Sequence, residues 1–301
     1  MTQGIFIGLS TIDVVYGVKE FPSANAKVVA QTQAVFVGGP ATNAAVAFSH
    51  LGATTVLVTA VGRNTMANVV REELQKHSVQ LVDLNPKFES EPAISLVTVD
   101  AAGHRSVVSA NATRIEVPPP AVDRSLCEQA SVILVDGHYM QACQTWASTA
   151  KSRSKPVVLD GGSWKTGTEE LLKSVHTAIC SSDFLPPGCG SKAQVIQYLR
   201  NAGVTNIAVT DGANPIEFVS GQSSGTMCVP QVDAVDTMGA GDILHGAYCY
   251  FASTGRGFIE SLAESAKIAA ESCRFTGTRE WMKHLSAADF AAETADIASR
   301  Q

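Results

Sequence analysis

Short aliphatic runs alternate with stretches whose apolar positions recur every three or four residues, and this alternation continues along almost the whole chain. Ile5-Phe6-Ile7-Gly8-Leu9 is a continuous apolar run, the mark of a strand buried on both faces, and it ends in the polar Ser10-Thr11-Ile12-Asp13. Residues 27–37 alternate and are β-branched, predicting another strand, and 44–53 predict a helix closed by a glycine. A strand over 54–61 and a helix over 65–76 follow, with Met66, Val69, Val70 and Leu74 on one helical face. Residues 93–99 and 104–109 are short alternating strands around Asp100-Ala101-Ala102-Gly103, a hairpin turn. Strands at 131–136, 156–160, 177–180 and 206–210 come next, with a helix over 141–152, and 216–219 with 226–229 suit an antiparallel pair at a sheet edge. Two long helices follow residue 239, the second carrying Phe258, Leu262, Ala266, Ala269 and Cys273 along one side, and a terminal helix is predicted over 287–299. Strands alternating with helices predict an α/β fold with a mostly parallel central sheet covered on both faces. No repeat, low-complexity tract or linker divides the chain, so residues 1–301 are expected to form a single domain.

The pattern leaves two small-residue turns that carry chemistry. In Asp236-Thr237-Met238-Gly239-Ala240-Gly241-Asp242 the glycines let main-chain N–H groups close around an anion. The helix that follows adds its unsatisfied first-turn donors and the positive end of its dipole. Asp242 would hold a carboxylate beside that cup, a pairing suited to phosphoryl transfer with Asp242 as base. A tight loop with a capping aspartate accounts for these residues equally well if they are taken alone. In Gly38-Gly39-Pro40-Ala41-Thr42-Asn43, paired glycines precede a helix, so a ligand can lie against backbone while Asn43 projects an amide towards hydroxyls. Asp13 suits either substrate hydroxyls or a local turn. Asp136 and Asp160 end strands and line either a crevice or plain turns; Lys165 is a candidate phosphate or substrate contact. His245, one helical turn beyond Asp242, reads as a core or nucleotide-packing histidine.

Composition narrows the classes. The chain has 301 residues, 45% hydrophobic and 17% charged, enough for a large core, and its net charge of −6 without any basic run argues against nucleic acid. Seven scattered cysteines with no Cys-x-x-Cys pair suit reduced, mostly buried thiols in a cytoplasmic protein and make a zinc site an unfavoured reading. The N-terminus lacks a basic segment and reads as a first strand, and no apolar stretch is long enough to span a membrane. A Gly-x-x-x-x-Gly-Lys loop is absent, which disfavours P-loop chemistry.

Together, residues 38–47 near the start and 236–242 near the end resemble the two signatures of the PfkB/ribokinase family of carbohydrate and nucleoside kinases, in the family's order. The resemblance covers essentially the whole chain. It implies a ribokinase-like fold in which excursions over approximately 14–37 and 90–113 form a small β lid over the sugar site. It implies ATP and Mg²⁺, with K⁺ in some members, and pairing of two copies through their lids. Asp242 is then the base, with Gly239, Ala240 and Gly241 as the anion hole. Asp13, Gly38, Gly39 and Asn43 would bind the acceptor, as would Arg105, for which a solvated hairpin arginine is the simpler reading. Thr210, Gly212, Thr237 and Gly277 fall where the family holds the nucleotide, and Asp236 near its monovalent cation. The family's Asn-x-x-Glu, which helps organise magnesium, is replaced by Ser182-Asp183-Phe184-Leu185, leaving Asp183 as a ligand through water. A sugar kinase, a nucleoside kinase and a non-catalytic sugar- or nucleotide-binding relic are the three readings that follow.

Overall fold

The computed structural model describes residues 2–112 and 115–286. In chain order the elements are β1 (Gln3–Ile7), β2 (Thr11–Gly17), β3 (Thr32–Gly38), α1 (Pro40–His50), β4 (Thr54–Thr59), α2 (Ala67–Lys76), β5 (Val79–Asp83), β6 (Ala93–Val99), β7 (Arg105–Ser109), α3 (Arg124–Gln129), β8 (Val132–Val135), α4 (Met140–Lys151), β9 (Val157–Gly161), α5 (Thr168–Leu172), β10 (Thr177–Ser181), α6 (Lys192–Asn201), β11 (Asn206–Asp211), β12 (Asn214–Ser220), β13 (Ser223–Met227), α7 (Ala240–Ser253) and α8 (Phe258–Ser272).

Nine strands form one sheet in the order β13-β12-β11-β10-β9-β8-β1-β4-β5. It is parallel from β11 to β5, with β12 and β13 antiparallel at one edge. From β1 the order runs through β4 and β5 on one side and through β8 to β11 on the other. The topological switch point therefore lies between β1 and β8, where open α/β sheets leave a crevice at the carboxyl ends of the strands.

Period-two alternation inside the buried strands supplies a core on each face. Phe6, Leu57, Leu134, Val158, Ile179 and Ala208 point to the side covered by α1, α2, α7 and α8. Ile5, Ile7, Val56, Val58, Ile133 and Leu159 point to the side covered by α3, α4, α5 and α6. Phe6 and Phe48 meet edge to face with ring centroids 5.2 Å apart, fixing α1 on its side of the sheet. Each such fully buried phenylalanine contributes roughly 2–3 kcal/mol of hydrophobic stabilisation.

A second, four-stranded sheet has the order β3-β2-β6-β7. It differs from the expected pattern in two places. The strand expected from residue 27 starts at Thr32, because the ladder to β2 ends at the Gly17–Thr32 pair and Val28 and Val29 have no strand beside them. Asp13, which the sequence suits to substrate hydroxyls or to a local turn after the first strand, lies inside a second strand, β2, opposite Phe36. Helix α1 begins at Pro40 rather than Ala44; proline's fixed φ and missing N–H suit a first helical position. Short elements the apolar pattern did not reveal are β5, α3, α5 and α6. The terminal helix expected over 287–299 lies outside the described residues. No helix among the described residues is long and apolar enough to cross a membrane.

Candidate active site

Asp242 sits in the first turn of α7, whose cap Gly239 has φ 71°, a left-handed conformation that glycine adopts at no steric cost. A Cβ at Gly239 would press on Thr278 Cγ2 at 2.6 Å and stand 3.3 Å from Asn43 Nδ2 and 3.6 Å from Asp242 Oδ2. It would thus fill the space in front of the carboxylate. The first-turn N–H groups of Ala240, Gly241 and Asp242 have no acceptor within the helix, and the positive end of the helix dipole lies among them. Glycine and helix together leave a cup of main-chain N–H donors beside a carboxylate.

The other half of the site comes from the start of the chain. Asn43, buried in the first turn of α1, donates from Nδ2 to Asp242 Oδ2 at 2.7 Å, across 199 residues of sequence. Gly38 ends β3 opposite Thr11, and a Cβ there would lie 2.0 Å from Asp13 Oδ2. Glycine at that position lets the Asp13 carboxylate lie flat against the neighbouring strand. Gly39 then caps α1 with φ 95°. Asp13 accepts from Thr11 Oγ1 at 2.9 Å, and burial raises its pKa against the pull of Thr11, Ser95 and Arg279.

Acids at the ends of β8 and β9 lie behind Asp242. Asp136 accepts main-chain N–H groups from Leu9 at 2.8 Å, Ala41 at 3.3 Å and His138 at 2.8 Å, so it staples the two sides of the switch point together. Asp160 is buried in β9, and its Oδ2 has no hydrogen-bond partner among the described residues. His245 lies 3.5 Å from that oxygen, with its two ring nitrogens 2.6 Å from Gly241 O and 3.0 Å from Ile179 O. It is a buried, hydrogen-bonded histidine under the cup. Burial, then the charge of Asp160, push the Asp242 carboxyl up to about 7, while Asn43 and His245 oppose the rise. Asp160 is likewise raised by burial, against the pull of His245. Lys165 turns its ammonium to the carbonyls of Asp136 at 3.3 Å and Ser163 at 3.2 Å, at the rim of this group.

The remaining expected residues fall around the cup without converging on Asp242. Asp236 Oδ1 accepts from Met238 N at 2.9 Å and Oδ2 from Gly277 N at 2.8 Å. Arg105 of β7 pairs with Asp236 rather than ending in solvent, and so ties the small sheet to this loop. Phe36 of β3 packs on Gly277, whose Cβ would come within 2.9 Å of the ring. Thr237 accepts from Ala240 N at 3.3 Å. Thr210 and Gly212 lie at and just beyond the end of β11, where Thr210 Oγ1 donates to Cys180 O at 3.3 Å and Gly212 turns the chain into β12. Asp183 is exposed after β10, its N–H on Ser181 Oγ at 3.2 Å. No group of three or more His, Cys, Asp or Glu among the described residues could by itself hold a metal ion.

Arg279 was not visible in the sequence pattern. It donates to Asn43 Oδ1 at 2.9 Å, Glu73 Oε1 at 3.0 Å and Val37 O at 2.9 Å, joining both halves of the site. Only its place two residues beyond Gly277 could have drawn attention to it. The seven cysteines are free thiols, five of them buried, in keeping with the sequence expectation.

Similarities to known proteins accord with this geometry. The family described as pfkB family carbohydrate kinase matches residues 1–284. The ribokinase of Haemophilus influenzae is 21% identical over 290 residues, covering 91% of this chain and 92% of that protein. The crystal structure of a putative ribokinase from Agrobacterium tumefaciens superposes with TM-score 0.87 at 21% identity, covering 100% of this chain and 99% of the other. The Arabidopsis thaliana ribokinase complexed with ribose and ATP gives TM-score 0.77 at 20% identity, over 94% and 97%. A fold wound around one switch point, with a four-stranded companion sheet and a family match over nearly its whole length, places this chain in the pfkB family of carbohydrate kinases.

Proposed function

We propose that this protein transfers the terminal phosphoryl group of ATP to a hydroxyl of a sugar or sugar-like acceptor. The observation that carries the reading is the half-buried Asp242 carboxylate, at the mouth of a helix amino terminus and 2.7 Å from the Asn43 amide. In this mechanism Asp242 takes the proton of the acceptor hydroxyl as its oxygen forms a bond to the terminal phosphorus. The bond from that phosphorus to the bridging oxygen breaks, and the electron pair leaves with ADP. Main-chain N–H groups of Gly239, Ala240 and Gly241 stabilise the charge on the transferring group. Asp13, with Gly38, Gly39 and Asn43, holds the acceptor's other hydroxyls.

Thr210, Gly212, Thr237 and Gly277 would line the nucleotide. Mg²⁺, when bound, neutralises phosphate charge. The exposed Asp183 fits a cation held mainly by water and phosphate, since the described residues offer no all-protein cage. Asp236 is already engaged by two N–H groups and Arg105, which favours a loop-fastening role over direct K⁺ ligation.

The four-stranded sheet would act as the lid, and two copies would pair through it. Val35, Val14, Leu96 and Val108 form one cross-strand row on the face opposite Asp13 and Phe36. Three of them are 50%, 42% and 69% exposed, which supports a partner sheet lying on them.

A panel of sugars, sugar acids and nucleosides with ATP, followed by ADP release, tests the reading and separates its acceptor classes. Asp242→Asn is expected to fold normally and lose at least about a hundredfold in kcat, the usual worth of a general base. Near-normal turnover would refute the assignment, and no ADP release with any acceptor would favour a binding relic.

A further inference from the structure

Arg279 follows Gly277 and Thr278 in the loop after α8, yet its side chain, 14% exposed, is enclosed by segments far apart in sequence. Nε donates to Glu73 Oε1 of α2 at 3.0 Å, and Nη2 to the carbonyl of Val37, just before Gly38, at 2.9 Å. Nη1 donates to Asn43 Oδ1 at 2.9 Å and to Thr278, at Oγ1 at 2.9 Å and O at 3.1 Å. Glu73 is itself held by His77 at 3.2 Å.

A guanidinium has five N–H donors and no acceptor, so the Asn43 atom that faces it has to be the carbonyl oxygen. The Asn43 NH₂ is then left facing Asp242, to which it donates at 2.7 Å. With the amide turned over, its oxygen would oppose a carboxylate and its NH₂ a guanidinium, two repulsive contacts in a buried place. We propose that Arg279 is a positioning residue of the phosphoryl-transfer site, holding the Asn43 amide in the one orientation that keeps a donor on Asp242. This rests on Asp242 being the base. The same guanidinium fastens the end of β3 beside Gly38 and the Thr278 side chain that packs on Gly239, so the acceptor side and the anion cup share one anchor.

The charges around Asp242 come from every side. Asp160 and Asp136 stand at the ends of β9 and β8, His245 on α7 itself, and Arg279 behind Asn43. Arg279 in turn faces Glu73, Asp13 and Asp242. Losing the Asn43 donor removes an interaction that favours the ionised base, so the base then binds its proton more tightly.

The test is the pH dependence of kcat, read by ADP release with an acceptor found in the panel. Wild type is compared with Arg279→Lys, Asn43→Ala and the double variant. Lysine keeps the charge but cannot reproduce the fork that spans Asn43 and Glu73. The acid limb in Arg279→Lys is expected to move to higher pH by at least about half a unit, and Asn43→Ala to move it the same way. The double variant should move it no further than Asn43→Ala alone. An unmoved limb in Arg279→Lys, or a full further displacement in the double variant, overturns the proposal even where kcat falls. Should Arg279→Lys not fold, Glu73→Gln carries the test by loosening Nε, with the same upward displacement expected and an unmoved limb overturning it. Near-normal turnover of Asp242→Asn would remove the base itself. A large loss there with no displacement in the Arg279 series removes only the present inference.

Discussion

Gly246 of α7 lies directly on Ala44 of α1: a Cβ built on Gly246 would come 2.3 Å from the Ala44 carbonyl oxygen and 2.9 Å from Ala47 Cβ. Helices α1 and α7 therefore meet backbone to backbone, and that approach sets Asn43 beside Asp242. The alanine-rich sequence of α1 is the other half of the contact. Gly246→Ala sets two effects against each other. Alanine gains about 1 kcal/mol of helix propensity over glycine. Against this, the new methyl group meets main-chain atoms that cannot rotate aside, and overpacking of this kind costs about 1–3 kcal/mol. The clash is expected to win. Urea unfolding should show a less stable variant, and kcat should fall because Asn43 is moved off the base. A variant more stable than wild type would show that the helices separate at little cost.

Glu73 supports the same cluster from α2 and makes its stability depend on acid. The neighbouring His77, 3.2 Å away, with a further contribution from Arg279 against the cost of burial, pulls the Glu73 carboxyl down from 4.5 to about 2. A carboxylate with a depressed folded-state pKa contributes stability that is fully present above its unfolded value and is lost as pH falls through the folded one. Glu73→Gln should therefore lower Tm at neutral pH. The gap to wild type should narrow as pH falls from 4.5 towards 2. A gap that stays constant over that window would mean Glu73 acts by packing rather than by charge.

The fold was legible because its sheet is parallel and buried: runs such as residues 5–9 and 131–136 can be little else, and the helices between them are strongly periodic. The two glycine-rich turns stood out because each needs residues without side chains, as the close approach of Asp13 to Gly38 and the left-handed Gly239 bear out. What composition could not reveal was the company the polar residues keep. Arg105 looked like a solvated hairpin arginine because its partner Asp236 lies 131 residues away. Arg279 and Glu73 are separated by 206 residues, and neither belongs to a motif. Elements such as α5, five residues long, are too short to show a period. Asp13 suited substrate hydroxyls or a local turn equally, because a polar residue after a buried strand reads as either; its place inside β2 depends on pairing with β3 and β6.

Asp160 and Asn43 act on Asp242 with opposite sign, and this yields the pH behaviour of the site. Burial and the neighbouring Asp160 carboxylate hold the Asp242 carboxyl at about 7, far above the ordinary 3.8. A base works only when ionised, so kcat should fall about tenfold per pH unit on the acid side of neutrality. An ordinary exposed aspartate would leave the rate flat down to about pH 5. Asp160→Asn removes a like charge while keeping the side chain's shape, which makes it easier for Asp242 to lose its proton. The acid limb of the Asp160→Asn variant should therefore lie at lower pH than that of wild type, the reverse of the displacement expected when the Asn43 donor is lost. His245 limits the size of the effect, because it lies 3.5 Å from Asp160 Oδ2 and partly offsets that charge. Steady-state kcat measured from about pH 5 to pH 9 on both proteins decides the matter. If the limb of the Asp160→Asn variant coincided with wild type or lay above it, the raised proton affinity of Asp242 would have to come from burial and Asp136 without Asp160.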